Sequence, residues 1–256
     1  MSKVKIIAEI GSNWQPGNIE SACEMVTIAA ECGADIVKFQ DFRVDNMNRP
    51  QWWKDKCRKW ELGRELHTEL TDKAQEQGVG FLCSVWDRES VARAAMDTAN
   101  IVKIASSEIG NQPLLRCVNK DVNPMFFQKG WSTRKVYLSV DFRRHAQIIP
   151  ALTWLPDCEV TLLHCISEYP ADESYIWPFD QLWNYGRPVG WSSHMAYPAA
   201  VDAARYFVEH GAVVVEAHLR SRNTPEDAPD NGPWSLYPEE LAGLVEAVRG
   251  ATRRCD

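Results

Sequence analysis

The amino-acid sequence predicts an α/β fold, a closed (β/α)8 barrel of the TIM type, on three observations. Eight short apolar runs, residues 6–10, 34–40, 79–86, 101–108, 136–140, 160–167, 189–194 and 212–218, alternate with stretches of helical character. Three of the intervals repeat one unit of helix, glycine and strand: 19–32 with Gly33, 66–77 with Gly78, and 199–210 with Gly211. A glycine just past a helix supplies the left-handed cap from which the next strand departs. The third observation is length, since 256 residues match one barrel of about 250 residues. Helices alternating with short buried strands give a parallel sheet, and eight units close it.

Element by element, the runs at Leu162-Leu163 and Val213-Val214-Val215 are apolar without alternation, as strands covered on both faces require. Residues 238–249 read as the last helix. Segments 41–60 and 220–234 follow strands two and eight, so they are expected to overhang the face onto which all strand C-termini open. Segment 119–134 precedes strand five and is expected on the opposite face. No linker or break in composition divides the chain, so residues 1–256 read as a single barrel domain.

A formal net charge of -7 argues against nucleic acid or an anionic membrane as partner, because both reward basic surfaces. An anionic substrate must then be held by local cations. The eight cysteines form no C-x-x-C pair and the chain is long enough to need no staples, which points to a reduced, cytoplasmic setting. The N-terminus has no signal-peptide stretch, and no run approaches the roughly 20 apolar residues that span a bilayer.

The chemistry gathers at the strand ends. Lys38 and Lys103 lie inside otherwise apolar strands, and a buried ammonium needs an anion opposite it. Two readings stand for that anion: an internal carboxylate, Glu9 or Glu108, or an anionic ligand, phosphate or carboxylate, held with serine hydroxyls. Gln40 points to the same side as Lys38. His194 and His218 close neighbouring strands seven and eight, where two imidazoles suit a divalent metal, with a structural hydrogen-bonding role as the alternative. His164 sits deeper, as a core or supporting residue, and Glu216 shares the side of His218. Glu9 and Glu108 serve either proton transfer and substrate hydroxyls or charge compensation of the lysines. Trp14, Trp86 and Trp191 stand at strand ends, where a ring either stacks on a sugar or packs the loops.

These residues fall into motifs. Ile7-Ala8-Glu9-Ile10-Gly11-Ser12-Asn13, Val37-Lys38-Phe39-Gln40, Lys103-Ile104-Ala105-Ser106-Ser107-Glu108, Leu163-His164-Cys165-Ile166-Ser167-Glu168-Tyr169-Pro170, Gly190-Trp191-Ser192-Ser193-His194, Glu216-Ala217-His218 and Ser235-Leu236-Tyr237-Pro238-Glu239-Glu240-Leu241 occur in barrel order. In that order, from about residue 4 to 249, they resemble the N-acetylneuraminate (sialic acid) synthase family. The resemblance implies condensation of phosphoenolpyruvate with an amino-sugar aldose such as N-acetylmannosamine, giving a 2-keto-3-deoxy sugar acid and phosphate. It implies that Lys38, Ser84, Lys103, Ser106, Ser139, Ser167 and Ser192 hold phosphoenolpyruvate. His194 and His218 would hold Mn²⁺, or Mg²⁺ or Co²⁺ in its place. Glu9, Glu108 and Tyr169 would contact the sugar, Asp230 would match the family's Pro-Asp sugar contact, Gln40 and Asn13 would also bind substrate, and Glu108, Lys38, Lys103 and Glu9 would act in the chemistry.

The sequence departs from the family pattern in several places. It covers the barrel and not the family's C-terminal antifreeze-like domain, so the expected partners are a second copy in a homodimer, or another chain that supplies the second domain. Ser193 stands where the family has Asp, Ser139-Val140-Asp141-Phe142 replaces a Ser-Thr-Gly-Met turn, and Trp14 replaces a histidine. The segment at 220–234 also differs from the family's Pro-Gly-Pro-Asp loop. Two other readings remain: a Schiff-base aldolase using Lys103, and a barrel without catalysis that serves as a sugar-binding or partner subunit.

Overall fold

The structure, a computed structural model, describes residues 3–94, 101–120, 133–172 and 179–254. Eight parallel strands, β1 (Lys5–Gly11), β2 (Ile36–Asp41), β3 (Gly80–Val85), β4 (Ile101–Ile104), β5 (Arg134–Asp141), β6 (Cys158–Cys165), β7 (Val189–Ser193) and β8 (Val214–Leu219), pair in sequence order. β8 returns to β1 in parallel register, with Ala8 opposite Ala217, so the sheet closes into the expected (β/α)8 barrel. A two-residue strand, β9 (Ser235–Leu236), extends the outer edge of β8. Among the described residues no helix is long and apolar enough to cross a membrane.

The helices form for local reasons the sequence contains. In Ile19–Glu31 the buried side chains Ala22, Met25, Val26 and Ala29 recur at helical spacing, and Asn18 caps the start by accepting from the Ser21 amide. The chain then turns at Gly33 with φ +87°, a conformation that favours glycine, and enters β2. Gly78 and Gly211 end their helices in the same left-handed way. The last helix, Pro238–Arg254, runs a turn beyond its expected end. Of the segment 119–134, residues 121–132 lie outside the described residues.

Strand parity separates two cores. Successive side chains of a strand point to opposite faces. One phase puts Ile7, Ile36, Leu82, Ile101, Tyr137, Leu163 and Val214 into a cluster of their own, which plugs the lumen. β7 contributes Gly190 to that phase, because a Cβ there would strike Val214 and Leu163. The other phase, including Ile6, Phe39, Phe81, Leu138, Leu162 and Val215, packs against the helices.

His164 belongs to this outer phase. Its ring lies 5.6 Å from Phe207 and 6.4 Å from Phe179, and neither ring nitrogen has a hydrogen-bond partner. Trp191 follows it outward, stacking on Phe207 at 4.9 Å, and Trp14 is buried with its indole N–H donated to the Gly11 carbonyl. These two tryptophans are therefore packing residues.

Burial holds the His164 pKa down at about 4. Its neutral form is favoured in the fold, so its contribution is whole above pH 6.5 and is lost as pH falls from 6.5 towards 4, by about 3 kcal/mol at full protonation. Replacing His164 with Leu is expected to flatten the pH dependence of the urea midpoint in that window by about one proton; an unchanged slope would contradict this placement.

Candidate active site

Two residues beyond the lumen plug, every strand places a polar or thiol side chain in the same inward phase. The set is Glu9, Lys38, Ser84, Lys103, Ser139, Cys165, Ser192 and Glu216, all less than 5% exposed. They floor a cavity of about 510 Å³ at the C-terminal mouth of the barrel. Further out on the same phase come Gln40, Ser167, His194 and His218, which also line it.

The two lysines are answered from inside. Lys38 contacts the Glu9 carboxylate directly, lies 3.8 Å from Glu216 and donates to Ser84 Oγ at 2.9 Å. Lys103 donates to Glu216 Oε1 at 2.9 Å, and that oxygen also accepts from Ser192 at 2.8 Å. So the anion opposite Lys103 is Glu216, reached across the lumen.

The four charges do not titrate alike. Burial pushes Glu216 up, but Lys103 and Lys38 outweigh it and hold the carboxyl well below its ordinary range. Glu9 moves the other way, to about 7, because burial and the charges of Glu216 and Asp230 outweigh Lys38. Lys103 is lowered by burial; for Lys38, burial is overcome by Glu216 and Glu9 and its pKa is raised. The floor therefore holds one firmly ionised carboxylate, Glu216, and a second, Glu9, whose pKa is raised towards neutrality.

The histidine pair lies at the rim, with ring centroids 5.4 Å apart. His194 Nδ1 is bonded to the Ile166 carbonyl, which can only accept, so Nδ1 carries the proton and Nε2 keeps a lone pair. His218 Nδ1 is buried without a hydrogen-bond partner, 3.8 Å from Asp230 Oδ1. Burial, and then for each a neighbouring cation or imidazole, holds both at about 3, so both rings are neutral. Two neutral imidazoles with unclaimed nitrogen lone pairs are a donor set that fits a divalent cation. Among the described residues, no cluster of three or more His, Cys, Asp or Glu completes a coordination shell. Ser193 Oγ accepts from the Met195 amide and stabilises the turn after β7.

The loops after β2 and β8 overhang the mouth as expected. The first contributes Phe42, Arg49, Trp53 and Cys57, the second Pro229, Asp230 and Trp234. Asp230 is fixed to the end of β1, accepting from the Ser12 amide at 2.8 Å and Ser12 Oγ at 2.7 Å. Gly11, at φ +55°, makes this possible, since its missing Cβ would collide with Asp230 and Glu9. Gln40 Nε2 donates to Glu9 at 3.2 Å and to Asp230 at 3.3 Å. Tyr169 stacks on His194 at 4.2 Å and meets Trp234 at 5.3 Å, forming one wall. Trp86 is the strand-end tryptophan that does face the cavity.

Two expected site residues stand elsewhere. β4 ends at Ile104 and Ser106–Glu108 is a 3-10 turn, and position 108 is in any case out of phase with the inward Lys103. Its carboxylate accepts from Ser107 Oγ and from Asn111 Nδ2, off the cavity wall, where it faces neither lysine. Asn13 is fully buried beneath the mouth and donates to the carbonyls of Leu219 and Asp230 and to Ser235 Oγ, pinning the loop that carries Asp230. Sequence reading missed Arg49, Arg144, Trp53 and Trp234 on the wall; only their place after strand ends signals them.

A barrel whose strand ends converge on paired lysines, serine hydroxyls and two neutral histidines has the form of an enzyme active site. The chain belongs to the NeuB family, which it matches over residues 25–255. It is 32% identical to N-acetylneuraminate-9-phosphate synthase of Mus musculus, over 95% of this chain and 69% of that protein. It is 31% identical to N,N'-diacetyllegionaminic acid synthase of Campylobacter jejuni, over 97% of this chain and 76% of that one. In structure it resembles the N-acetylneuraminic acid synthetase of Leptospira borgpetersenii with a TM-score of 0.84 and 24% identity, covering 99% of this chain and 85% of that one.

The charge network makes a direct prediction. Replacing Glu216 with Gln leaves Lys103 buried without its carboxylate and is expected to destabilise the fold by about 3 kcal/mol, read from the urea midpoint. A loss under about 1 kcal/mol would mean that solvent or Glu9 already serves that lysine.

Proposed function

We propose that this enzyme condenses phosphoenolpyruvate with an amino-sugar aldose of the N-acetylmannosamine type, taking up water and releasing phosphate, to give a 2-keto-3-deoxy sugar acid. The observation that carries the reading is the pair of buried strand lysines ringed by Ser84, Ser106, Ser139, Ser167 and Ser192. Membership of a family that includes named sugar acid synthases supports it.

The residues divide the work by position. Ser84 accepts from Lys38 and so keeps its own hydrogen for a substrate oxygen, and Ser139 Oγ, buried without a partner, is open to the same use. Lys38 and Lys103 hold the donor's anionic oxygens from below. Gln40 spends its amide hydrogens on Glu9 and Asp230, leaving its carbonyl for an acceptor hydroxyl, beside Tyr169. Glu9, at about 7, can hold or give up a proton at the reacting centre near neutral pH. His194 Nε2 and His218 would hold a divalent ion, Mn²⁺ by preference, which would polarise the acceptor aldehyde when bound. The nucleophilic C3 of phosphoenolpyruvate then bonds to the aldehyde carbon, water adds at C2, and the C2–O bond to phosphate breaks.

One observation favours a second reading. Burial depresses Lys103, the property of a lysine that forms a Schiff base. Borohydride trapping with pyruvate separates the two, because condensation with phosphoenolpyruvate forms no lysine adduct.

The direct test is phosphate release from phosphoenolpyruvate across a panel of amino-sugar aldoses, with Mn²⁺ and in chelator. Metal-dependent release is expected, and His194→Ala is expected to lose the metal stimulation while still binding phosphoenolpyruvate. No release with any aldose, or equal release in chelator, would contradict the proposal.

A further inference from the structure

One cation of the mouth has no place in the division of work above. Arg144 stands on the 3-10 turn Phe142–Gln147 that follows β5, is half-buried and lines the cavity. Its Nη1 donates a long 3.5 Å bond to the Ser107 carbonyl, and among the described residues no carboxylate pairs with it. A guanidinium offers five donors in a planar fork, so one weak acceptor leaves most of them unmatched. An anion with several oxygens is the group that would match them.

Serine hydroxyls line the same cavity as Arg144. The Ser107 carbonyl that it touches follows Ser106, whose Oγ shares a 2.8 Å hydrogen bond with Ser167 Oγ. Ser139, at the end of the same strand that leads to Arg144, is 3% exposed and its Oγ has no partner. All four line one cavity. The turn that bears Arg144 is also held firmly. Asp141 accepts from the Arg143 amide at 2.8 Å, from the Arg143 guanidinium at 3.0 Å and from the Ser167 amide at 2.7 Å. That carboxylate thus ties the end of β5 to the end of β6 and fixes the backbone from which Arg144 projects.

We propose that Arg144 is a substrate-binding residue that holds the phosphoryl group of the donor, together with the hydroxyls of Ser106, Ser139 and Ser167. The inference rests on the condensation proposed above. A phosphoryl group brings three strong acceptor oxygens and nearly two charges, which suits a planar fork with several hydroxyl donors. The phosphoryl end of the donor is thereby placed over β5 and β6.

The test is titration of phosphoenolpyruvate and of inorganic phosphate into the wild-type protein, Arg144→Ala and Arg144→Lys, with pyruvate as a competitor that lacks the phosphoryl group. Removal of the guanidinium is expected to weaken phosphoenolpyruvate and phosphate by roughly ten- to a hundredfold, with Arg144→Lys between. Pyruvate competition should be unchanged, and in turnover the KM for phosphoenolpyruvate should rise while that for the aldose stays level. Equal phosphoenolpyruvate binding by wild type and Arg144→Ala would overturn the assignment, as would parallel weakening of pyruvate or a rise in the aldose KM alone. Failure of the wild-type protein itself to bind phosphoenolpyruvate would instead overturn the reaction on which the assignment rests.

Discussion

Two ammonium groups buried in a barrel wall are tolerable only when carboxylates stand across from them, and the closure of this barrel puts them there. Glu9 comes from β1, Lys38 from β2, Lys103 from β4 and Glu216 from β8, so the network spans the lumen and joins strands far apart in sequence. Desolvating four ionisable groups costs several kcal/mol each, and an apolar layer of similar volume would hold the barrel at least as well. The network is therefore better explained by what it does to a ligand than by stability. Below it lies the apolar plug of Ile7, Ile36, Leu82 and their neighbours, which keeps water from the underside and gives the lysines their low-dielectric floor.

That floor is balanced so that an incoming anion can change it. Glu216 is held firmly ionised by the two lysines, while Glu9 is raised towards neutrality. An anion brought to Lys38 and Lys103 competes with Glu9 for the same ammonium hydrogens and raises the Glu9 pKa further. Glu9 lies next to Gln40 and Asp230, on the side where the loops from β2 and β8 meet. The neutral imidazoles of His194 and His218 lie beyond this charge layer, kept neutral by burial and by the cations beneath them.

Much of this was legible in the sequence, because parallel strands of a closed barrel read as unbroken apolar runs and their polar ends necessarily converge. All eight strands, the helix caps at Gly33, Gly78 and Gly211, and the inward set Lys38, Ser84, Lys103, Ser139, Ser192 and His218 follow from that rule. The failures have physical causes. Glu108 does not line the mouth, because β4 stops at Ile104 and the Ser-Ser-Glu stretch turns into a 3-10 segment, and even a continued strand would aim it to the face opposite Lys103. The partner of Lys103 could not be found locally, since Glu216 lies 113 residues away and meets it only through closure. Trp191 and His164 lie one residue out of step with the inward Ser192 and Cys165, so His164 is the core residue its depth in the strand suggests and Trp191 packs on Phe207. Arg144 left no pattern, because it belongs to a turn rather than to a strand.

If the lysine–carboxylate layer is an anion-receiving floor, phosphoenolpyruvate must bind on it. A crystal structure of the protein with phosphoenolpyruvate tests it most directly. The account predicts the ligand in the mouth, with anionic oxygens on Lys38 and Lys103 and its phosphoryl end over β5 and β6, while the Lys103–Glu216 pair persists. Phosphoenolpyruvate bound outside this mouth, or a floor in which the lysines contact only Glu9 and Glu216 with ligand present, would contradict it.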